Sequence, residues 1–596
     1  MKRIKNLLAP PETRRGQLLA LAVKSWRIVR VNGPSNLVLR AWRKLSAHIG
    51  MTGTGYPSAT RYQEWLAFHE SKSDQVQQRE LRYRPCIRVI ATGKSTPAQL
   101  RAALDSLIAQ SYEHWFCVIE EAAEASILTE YARREPRIQI SSASTGASPS
   151  GNAPELLAFL DLRDVVAPQW LFEAVRRFND KPDTDIVYCD EDRLSADGVS
   201  RSKPLFKPSW SPDLLLSTNF LANAVVRREL AEAAGSADGS CDFYLRCAEQ
   251  ARRIEHVPRV YYHRHDGSAS SLDPLAVEGH CRRIGLTGAT ANVDGNGVMR
   301  VVWPASGATV SIIIPTKDKV ALLRQCVQSI LRQTGYANYE IILVDNQSVE
   351  PATHAYYDSL RSDPRIRIID YAESFNYSTA NNIGVRRAVG ERLLFLNNDT
   401  EVLEAGWLDE LVRWADRPEI GVVGAKLLYS NRTVQHAGVI LGMSGFCGHI
   451  YRGVAPDHAG MFGSLNWYRN YLAVTGACLM MRRDVFERIG GFDDGYRLGY
   501  GDIEICLRAI KHGYRVVCTP FAPMLHHEGR TRFNHLPLPD MRRAYLEMGP
   551  SIEAGDPYFN PNLSYSHFLP TLAEPNEASC RERLRQVMRE SGAGKM

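Results

Sequence analysis

No CxxC pair occurs among the twelve cysteines of this 596-residue sequence. Cys326, Cys478, Cys506 and Cys518 sit inside apolar or helix-like patterns. That points to reduced, buried thiols in a cytosolic protein and away from a disulfide framework. No stretch approaches the roughly 20 apolar residues a spanning helix needs. The run from Gly16 to Val23 is cut short by Lys24 and lacks a small-residue cleavage site, so no signal peptide is expected. The apolar fraction of 44% is ordinary and excludes a disordered or collagen-like chain. At this length several domains are expected, at about 150 residues each.

The net charge of +6 is unevenly held. Residues 1–50 carry eleven Lys or Arg against Glu12 alone, so the remainder of the chain is mildly acidic. Leu18, Leu21, Ala22, Trp26 and Val29 recur at helical spacing among Lys24, Arg27 and Arg30, and Asn32-Gly33-Pro34-Ser35 ends the pattern. A second basic apolar piece follows, through Leu37, Val38, Ala41 and Leu45. Such a helix suits an anionic membrane surface or packs on the body of the protein. The expected location is cytoplasmic, peripheral on the inner face of the plasma membrane. No nucleic-acid partner is expected.

An internal repeat organises the rest. Leu100-Arg101 and Ser106-Leu107-Ile108-Ala109-Gln110 match Leu323-Arg324 and Ser329-Ile330-Leu331-Arg332-Gln333. Each match lies between two short apolar runs, Ile87 to Ala91 and Trp115 to Ile119 in the first copy, Val310 to Ile314 and Tyr339 to Val344 in the second. Apolar run, amphipathic helix, apolar run is a βαβ unit with parallel strands. The repeat continues: Phe159-Leu160-Asp161-Leu162-Arg163 aligns with Phe395-Leu396-Asn397-Asn398-Asp399, and Asp242 to Arg246 with Asp502 and the helix to Arg508. The fold class is α/β, with two modules of one ancestry.

Ligands of an open parallel sheet bind beyond the carboxyl ends of its strands. In the second copy those ends carry Pro315-Thr316-Lys317-Asp318, Asp345-Asn346-Gln347-Ser348 and Asn397-Asn398-Asp399-Thr400. There is no GxGxxG after the first strand and no GxxxxGK[ST], which removes a Rossmann dehydrogenase and a P-loop enzyme. A protein handling pyrophosphate without those loops needs a cation, and a divalent metal held by carboxylates supplies it.

The second copy resembles family 2 glycosyltransferases of the GT-A fold. The resemblance rests on Val310-Ser-Ile-Ile-Ile-Pro-Thr316, Val344-Asp-Asn-Gln-Ser348, Leu396-Asn-Asn-Asp-Thr400, Gly490-Gly-Phe-Asp493, Gly501-Asp-Ile-Glu504 and His526-His-Glu528, in the family's order. It covers about 220 residues closely and the first copy more loosely. Gln435-His-Ala-Gly-Val439, Gly555-Asp-Pro-Tyr558 and Asn560-Pro-Asn562 add a likeness to enzymes of bacterial O-antigen or rhamnan synthesis. The resemblance implies an inverting, metal-dependent transfer of a sugar, rhamnose among the candidates, from a nucleotide-sugar donor to a glycan or lipid-linked glycan of a cell-surface polysaccharide. Thr316, Asp345 and Asn397 would contact the donor nucleotide. Asp399 with His526 or His527 would bind Mg2+ or Mn2+, although the family's first metal-motif acid is Asn397 here. Asp502 would be the general base, and Glu504 an acceptor contact or a support behind it. Local readings stand beside these: Asp345 and Asp502 could cap helices, and Asn-Asn-Asp could be a turn.

In the first copy Arg163 falls at the position of Asp399, Asp161 at that of Asn397, Asp242 at that of Asp502, and His263 or His265 near the histidine. Glu120-Glu121-Ala122 stands where the nucleotide acid belongs. A guanidinium repels a divalent cation but can bind phosphate. The expected division is a basic helical segment 1–84, a degenerate GT-A-like module 85–266, a linker 267–308, a catalytic domain 309–535 and an irregular tail 536–596. Two alternatives remain: a bifunctional transferase with both modules active, and an inactive glycan-binding or scaffold protein.

Overall fold

A computed structural model describes the chain apart from residues 1–54, 74–80, 120–123, 141–152, 196, 236, 266–271, 528–535 and 592–596. The basic arm, Glu120-Glu121-Ala122 and Glu528 therefore lie outside the described residues. No helix among those described is long and apolar enough to cross a membrane.

Two mixed sheets dominate the molecule, and they have one topology. From edge to edge the first runs Ile138–Ile140, Trp115–Ile119, Ile87–Thr92, Leu156–Asp161, Val225–Arg227, Ile186–Leu194, Ile254–His265 and Val165–Val166. The second runs Ile366–Asp370, Tyr339–Asp345, Val310–Thr316, Arg392–Leu396, Cys478–Arg482, Ile420–Leu428, Arg515–His526 and Thr400–Val402. The first four strands are mutually parallel in both sheets, and the fifth runs against them. Register agrees as well: Ile90 pairs with Phe159 as Ile313 pairs with Phe395. The expectation of two tandem GT-A-type modules is met at the level of individual residue pairs.

The sequence explains why these strands sit centrally. Every residue of Val310–Thr316 is buried, as a parallel strand covered by helices on both faces requires. In the first copy the following helix, Pro97–Ile108, begins with a capping box, Thr96 accepting from the Gln99 amide, and with Pro97 in its first turn. Its counterpart Val320–Gln333 instead starts from Lys319 in the left-handed region, φ 53°. In both copies Leu100 and Leu323 fall on the buried face.

Segment 267–308 carries more structure than a plain connector. Helix Pro274–Arg283 and the hairpin Thr290–Val293/Met299–Val302 put Val277, Met299, Val301 and Trp303 into an apolar core that also takes Leu214 and Tyr244 from the first module and Trp414 and Tyr468 from the second. The expectation of an irregular tail needs correction. Its Pro- and Asn-rich middle is irregular, but helices Leu538–Ala554 and Cys580–Ser591 flank it. Ala544, Met548 and Ile552, spaced four apart, give the first of these a buried face that composition alone hides.

Polar contacts join the modules too. Asp213 of the first is buried against Arg417 (2.9 Å) and Arg515 (2.9 Å) of the second. The tail bridges both: Asn560 Nδ2 donates to Asp190 Oδ2 (2.9 Å), while Asp556 Oδ2 accepts from the Leu441 amide (2.9 Å).

Candidate active site

The second sheet opens onto a cleft of about 800 Å3 at the carboxyl ends of its parallel strands. Thr316, Asn397, Asp399, His526 and Asp502 all line it. Topology brings them together. The turn after Arg392–Leu396 leads into Thr400–Val402, which pairs antiparallel with Arg515–His526 so that Thr400 lies opposite His526. That register sets the Asp399 carboxylate against the imidazole, with His526 Nε2 3.1 Å from Asp399 Oδ1.

The proton on this imidazole is placed by Gln435. Its Nε2 donates to the His526 carbonyl (3.3 Å), which leaves its Oε1 as the acceptor for His526 Nδ1 at 2.7 Å. Nδ1 therefore carries the hydrogen, and the Nε2 lone pair faces Asp399 Oδ1 and accepts from Asn397 Nδ2 (3.2 Å). A carboxylate oxygen and an imidazole lone pair directed at each other call for a cation between them. A histidine that ligates a metal characteristically donates its other N–H to such an acceptor. Among the described residues no group of three or more His, Cys, Asp or Glu could hold a metal ion. Two protein ligands are what Mg2+ takes when substrate phosphates and water complete its shell. On this chemistry the pair fits a divalent cation.

His527 faces elsewhere, its Nδ1 2.7 Å from Ser430 Oγ and its Nε2 3.4 Å from Glu401. Adjacent residues at a strand end alternate in direction, and this selects His526 as the residue that faces Asp399.

Asp502 lines the same cleft from the first turn of helix Gly501–Lys511. Its Oδ2 accepts from the Gly476 amide (2.9 Å) and its Oδ1 from the Ile503 amide (3.0 Å). Desolvation raises its pKa above the ordinary carboxylate value, and those amide hydrogen bonds only partly offset the effect. Among the described residues no Lys or Arg is bonded to it, which leaves the carboxylate able to take a proton. Gly476 has to be glycine: a Cβ there would lie 2.6 Å from Tyr377 Oη and 3.3 Å from Asp502 Cβ. The residue before the helix, Tyr500, is held in the left-handed region at φ 68°, a conformation that costs a bulky residue about 1–3 kcal/mol. Buried Asp540, from the tail helix, braces this approach, one oxygen accepting from the amides of Leu498 (2.8 Å) and Gly499 (3.0 Å).

Asp345 and Glu504 do not line the cleft. Asp345 sits beside Thr316 in register, with Oδ1 accepting from Tyr357 Oη (2.8 Å) and Oδ2 from the Ser348 amide (3.2 Å). Glu504 is ion-paired to Arg508 one turn on (2.5 Å). Thr316 is buried, and its hydroxyl accepts from Asn398 Nδ2 (3.1 Å).

The first module keeps the scaffold and carries different side chains at the corresponding positions. Arg163 turns back onto Asp161, Nε to Oδ1 at 2.9 Å. Pairing of Val165 with His263, set beside Glu401 with Leu525, puts Arg264 at the place of His526. This corrects the expectation of His263 or His265, because the long strand's register was hidden in a run of four polar residues. Arg264 is buried against Glu191 (3.0 Å), which also takes Lys207 (2.8 Å). Burial alone would raise the pKa of Glu191, but the two cations bring it down to about 2. Asp242 occupies the second position of its helix, as Asp502 does, but is neutralised by Arg246 (2.5 Å) and Arg283 (3.0 Å). Guanidinium groups thus stand at the positions that correspond to Asp399 and His526.

A doubly covered sheet with this strand order, with Asp399, His526 and part-buried Asp502 lining one strand-end cleft, is the arrangement expected of a GT-A module. Residues 311–490 match the glycosyl transferase family 2 model and residues 460–535 the model for the N-terminal domain of galactosyltransferase. Over those residues the second module is similar to glycosyltransferase family 2. The chain is 39% identical over 547 residues to the O-antigen biosynthesis protein RfbC of Myxococcus xanthus, covering 85% of this chain and 43% of that protein. It is 34% identical over 545 residues to the uncharacterized protein y4gI of Sinorhizobium fredii, covering 83% of this chain and 60% of that one. It thus spans about half the length of these relatives. A mannosyltransferase of Pyrobaculum calidifontis, solved in complex with GDP-Man and Mn2+, aligns over 54% of this chain and 84% of its own at 18% identity and a TM-score of 0.33.

Proposed function

We propose that the second module transfers a sugar, with inversion, from a nucleoside-diphosphate donor to a hydroxyl of a growing cell-surface polysaccharide. The observation that carries this reading is a part-buried Asp502, held by the Gly476 and Ile503 amides and without an ion pair among the described residues, lining one cleft with the Asp399–His526 pair. Asp502 takes the proton of the acceptor hydroxyl as its oxygen attacks the anomeric carbon. The bond from that carbon to the diphosphate breaks on the opposite face, and one displacement inverts the centre. A divalent metal held by Asp399 and His526 would neutralise charge on the leaving diphosphate. Thr316 and Asn397 contact the donor from the strand ends, and Asp345 shapes the nucleotide end by holding the loop to Ser348. Glu504, tied to Arg508, supports the helix that carries Asp502.

Segment 309–535 is the catalytic unit in this reading, and module 85–266 is its degenerate partner. Self-paired Arg163, Arg264 and Asp242 argue against a second active site. The similarity to an O-antigen biosynthesis protein supports a surface glycan as product, on a lipid-linked acceptor at the cytoplasmic membrane face, with rhamnose among the donor sugars to try first.

The test is metal-dependent transfer or hydrolysis over a panel of nucleotide sugars. Asp502→Asn should lower kcat by about 10²–10⁴-fold while donor affinity holds. Unchanged turnover in that variant would remove Asp502 from the chemistry, and an inert wild type across the panel would favour a glycan-binding role.

A further inference from the structure

The cavity lying between the first module and the tail, about 990 Å3 in volume, shares no lining residue with the cleft. Helix Trp170–Asp180 and strand Ile254–His265 form one wall, and residues between Glu553 and Cys580 form the other. Its acids are already committed within the protein. Glu173 is bonded to Arg176 (2.6 Å), Glu553 to Arg581 (2.9 Å), Glu574 to Arg61 and Glu577 to Ser564 (2.8 Å) and Arg583. Two of its arginines are not. Arg177 has a buried Nε without a hydrogen-bond partner, Arg259 is exposed, and neither forms an ion pair among the described residues. The uncommitted charge of the cavity is therefore positive. The part-exposed rings of Phe68, Phe172 and Tyr565 line the same cavity.

We propose that this cavity binds a stretch of acidic oligosaccharide. Flat apolar rings offer faces to the C–H side of sugar rings, and a guanidinium fork matches a carboxylate or phosphate with two parallel hydrogen bonds. The volume lies at the upper end of the range, about 300–1,000 Å3, that encloses a small ligand, so several sugar residues fit. The inference rests on the transferase reading only for its purpose. A glycan held here stays tethered to the enzyme between additions, which raises its effective concentration at the cleft.

The test is calorimetric titration of the full chain with tetragalacturonate and, in parallel, neutral maltotetraose. Tetragalacturonate should bind, and the Arg177→Gln/Arg259→Gln variant should bind it at least about tenfold more weakly, the worth of one charge-assisted hydrogen bond. Maltotetraose should bind weakly and equally to both. Arg259→Gln alone, at an exposed site, carries the test should the double variant fold poorly, and Phe172→Ala tests the stacking. Absence of saturable tetragalacturonate binding to the wild type, or equal affinity in wild type and the arginine variants, overturns the proposal. Nucleotide-sugar hydrolysis measured on the same preparations keeps the two readings separate: its absence counts against the catalytic assignment alone.

Discussion

Gln435 acts on the candidate site through a single hydrogen. By accepting from His526 Nδ1 it leaves the Nε2 lone pair directed at Asp399, and its own amide is oriented by the His526 carbonyl. Removing it frees the ring to rotate and to exchange tautomers, so Gln435→Ala should weaken metal binding by about 10–100-fold. Metal-concentration dependence of activity, with Mn2+ titration of the apo protein, measures this. His527→Ala should leave the same titration unmoved, since that ring is bonded to Ser430 and Glu401. At this scale the sequence was informative where chemistry is carried by residue type. Asp399, Asp502 and Thr316 stand at strand or helix ends that apolar runs reveal, and all three reach the cleft. It was silent where direction decides. Which of His526 and His527 faces Asp399 depends on the register of a twelve-residue strand, and the brace from Gln435 crosses 91 residues of sequence.

Among the elements, the helix Leu538–Ala554 has the strongest claim on the site. Asp540, in its first turn, holds the amides of Leu498 and Gly499, just before the strained Tyr500 and the helix of Asp502. Nothing local in the sequence links a residue of a Pro-rich tail to a loop about 40 residues earlier, which is why this contact was not foreseen. Asp540→Ala releases two amide donors and lets Tyr500 relax, so Asp502 shifts from its place. The expected result is a fall in kcat of about 10–100-fold with little change in donor KM, and partial recovery in Asp540→Asn, which keeps an acceptor oxygen. A purely structural loss would lower thermal stability and leave kcat per folded molecule intact. The irregular stretch after this helix carries a titrating group of its own. Asp556 is buried, and burial lifts its pKa to about 7 against the amide bonds from Leu441 and Tyr558. Because the folded value is raised, the folded state holds this proton more tightly. Its contribution to stability is therefore complete below the ordinary carboxylate range and is lost as pH rises through about 7. Asp556→Asn removes the titration, so its melting temperature relative to wild type should climb between about pH 4 and pH 7 and then level off. A difference that stays constant with pH would show that Asp556 does not ionise in that window.

Across the molecule, duplication was legible because helix and strand patterns recur in order, and the eight-strand main paths of the two sheets reproduce each other. What could not be read was the joint, since contacts between modules carry no periodicity. Asp213 is its centre. The residue is buried, between Arg417 and Arg515 of the other module and with Asn470 donating to Oδ2 at 2.6 Å. Burial opposes its charge, but the two guanidinium groups hold its pKa below the ordinary value. The joint therefore contributes above the ordinary carboxylate range and is lost as pH falls through that depressed value. Replacing Asp213 by Ala leaves buried Arg417 and half-buried Arg515 to share Glu419 as their one acidic partner among the described residues. An ion pair broken on one side costs about 3–5 kcal/mol, because the remaining charge stays desolvated. The apolar core is continuous across the joint, through Trp303, Trp414 and Tyr468, so the modules should unfold together in the wild type. Calorimetry of Asp213→Ala should show a lower transition temperature and, with the polar joint gone, a first module that melts ahead of the second. A single transition at the wild-type temperature would mean that the shared apolar core alone holds the two copies together.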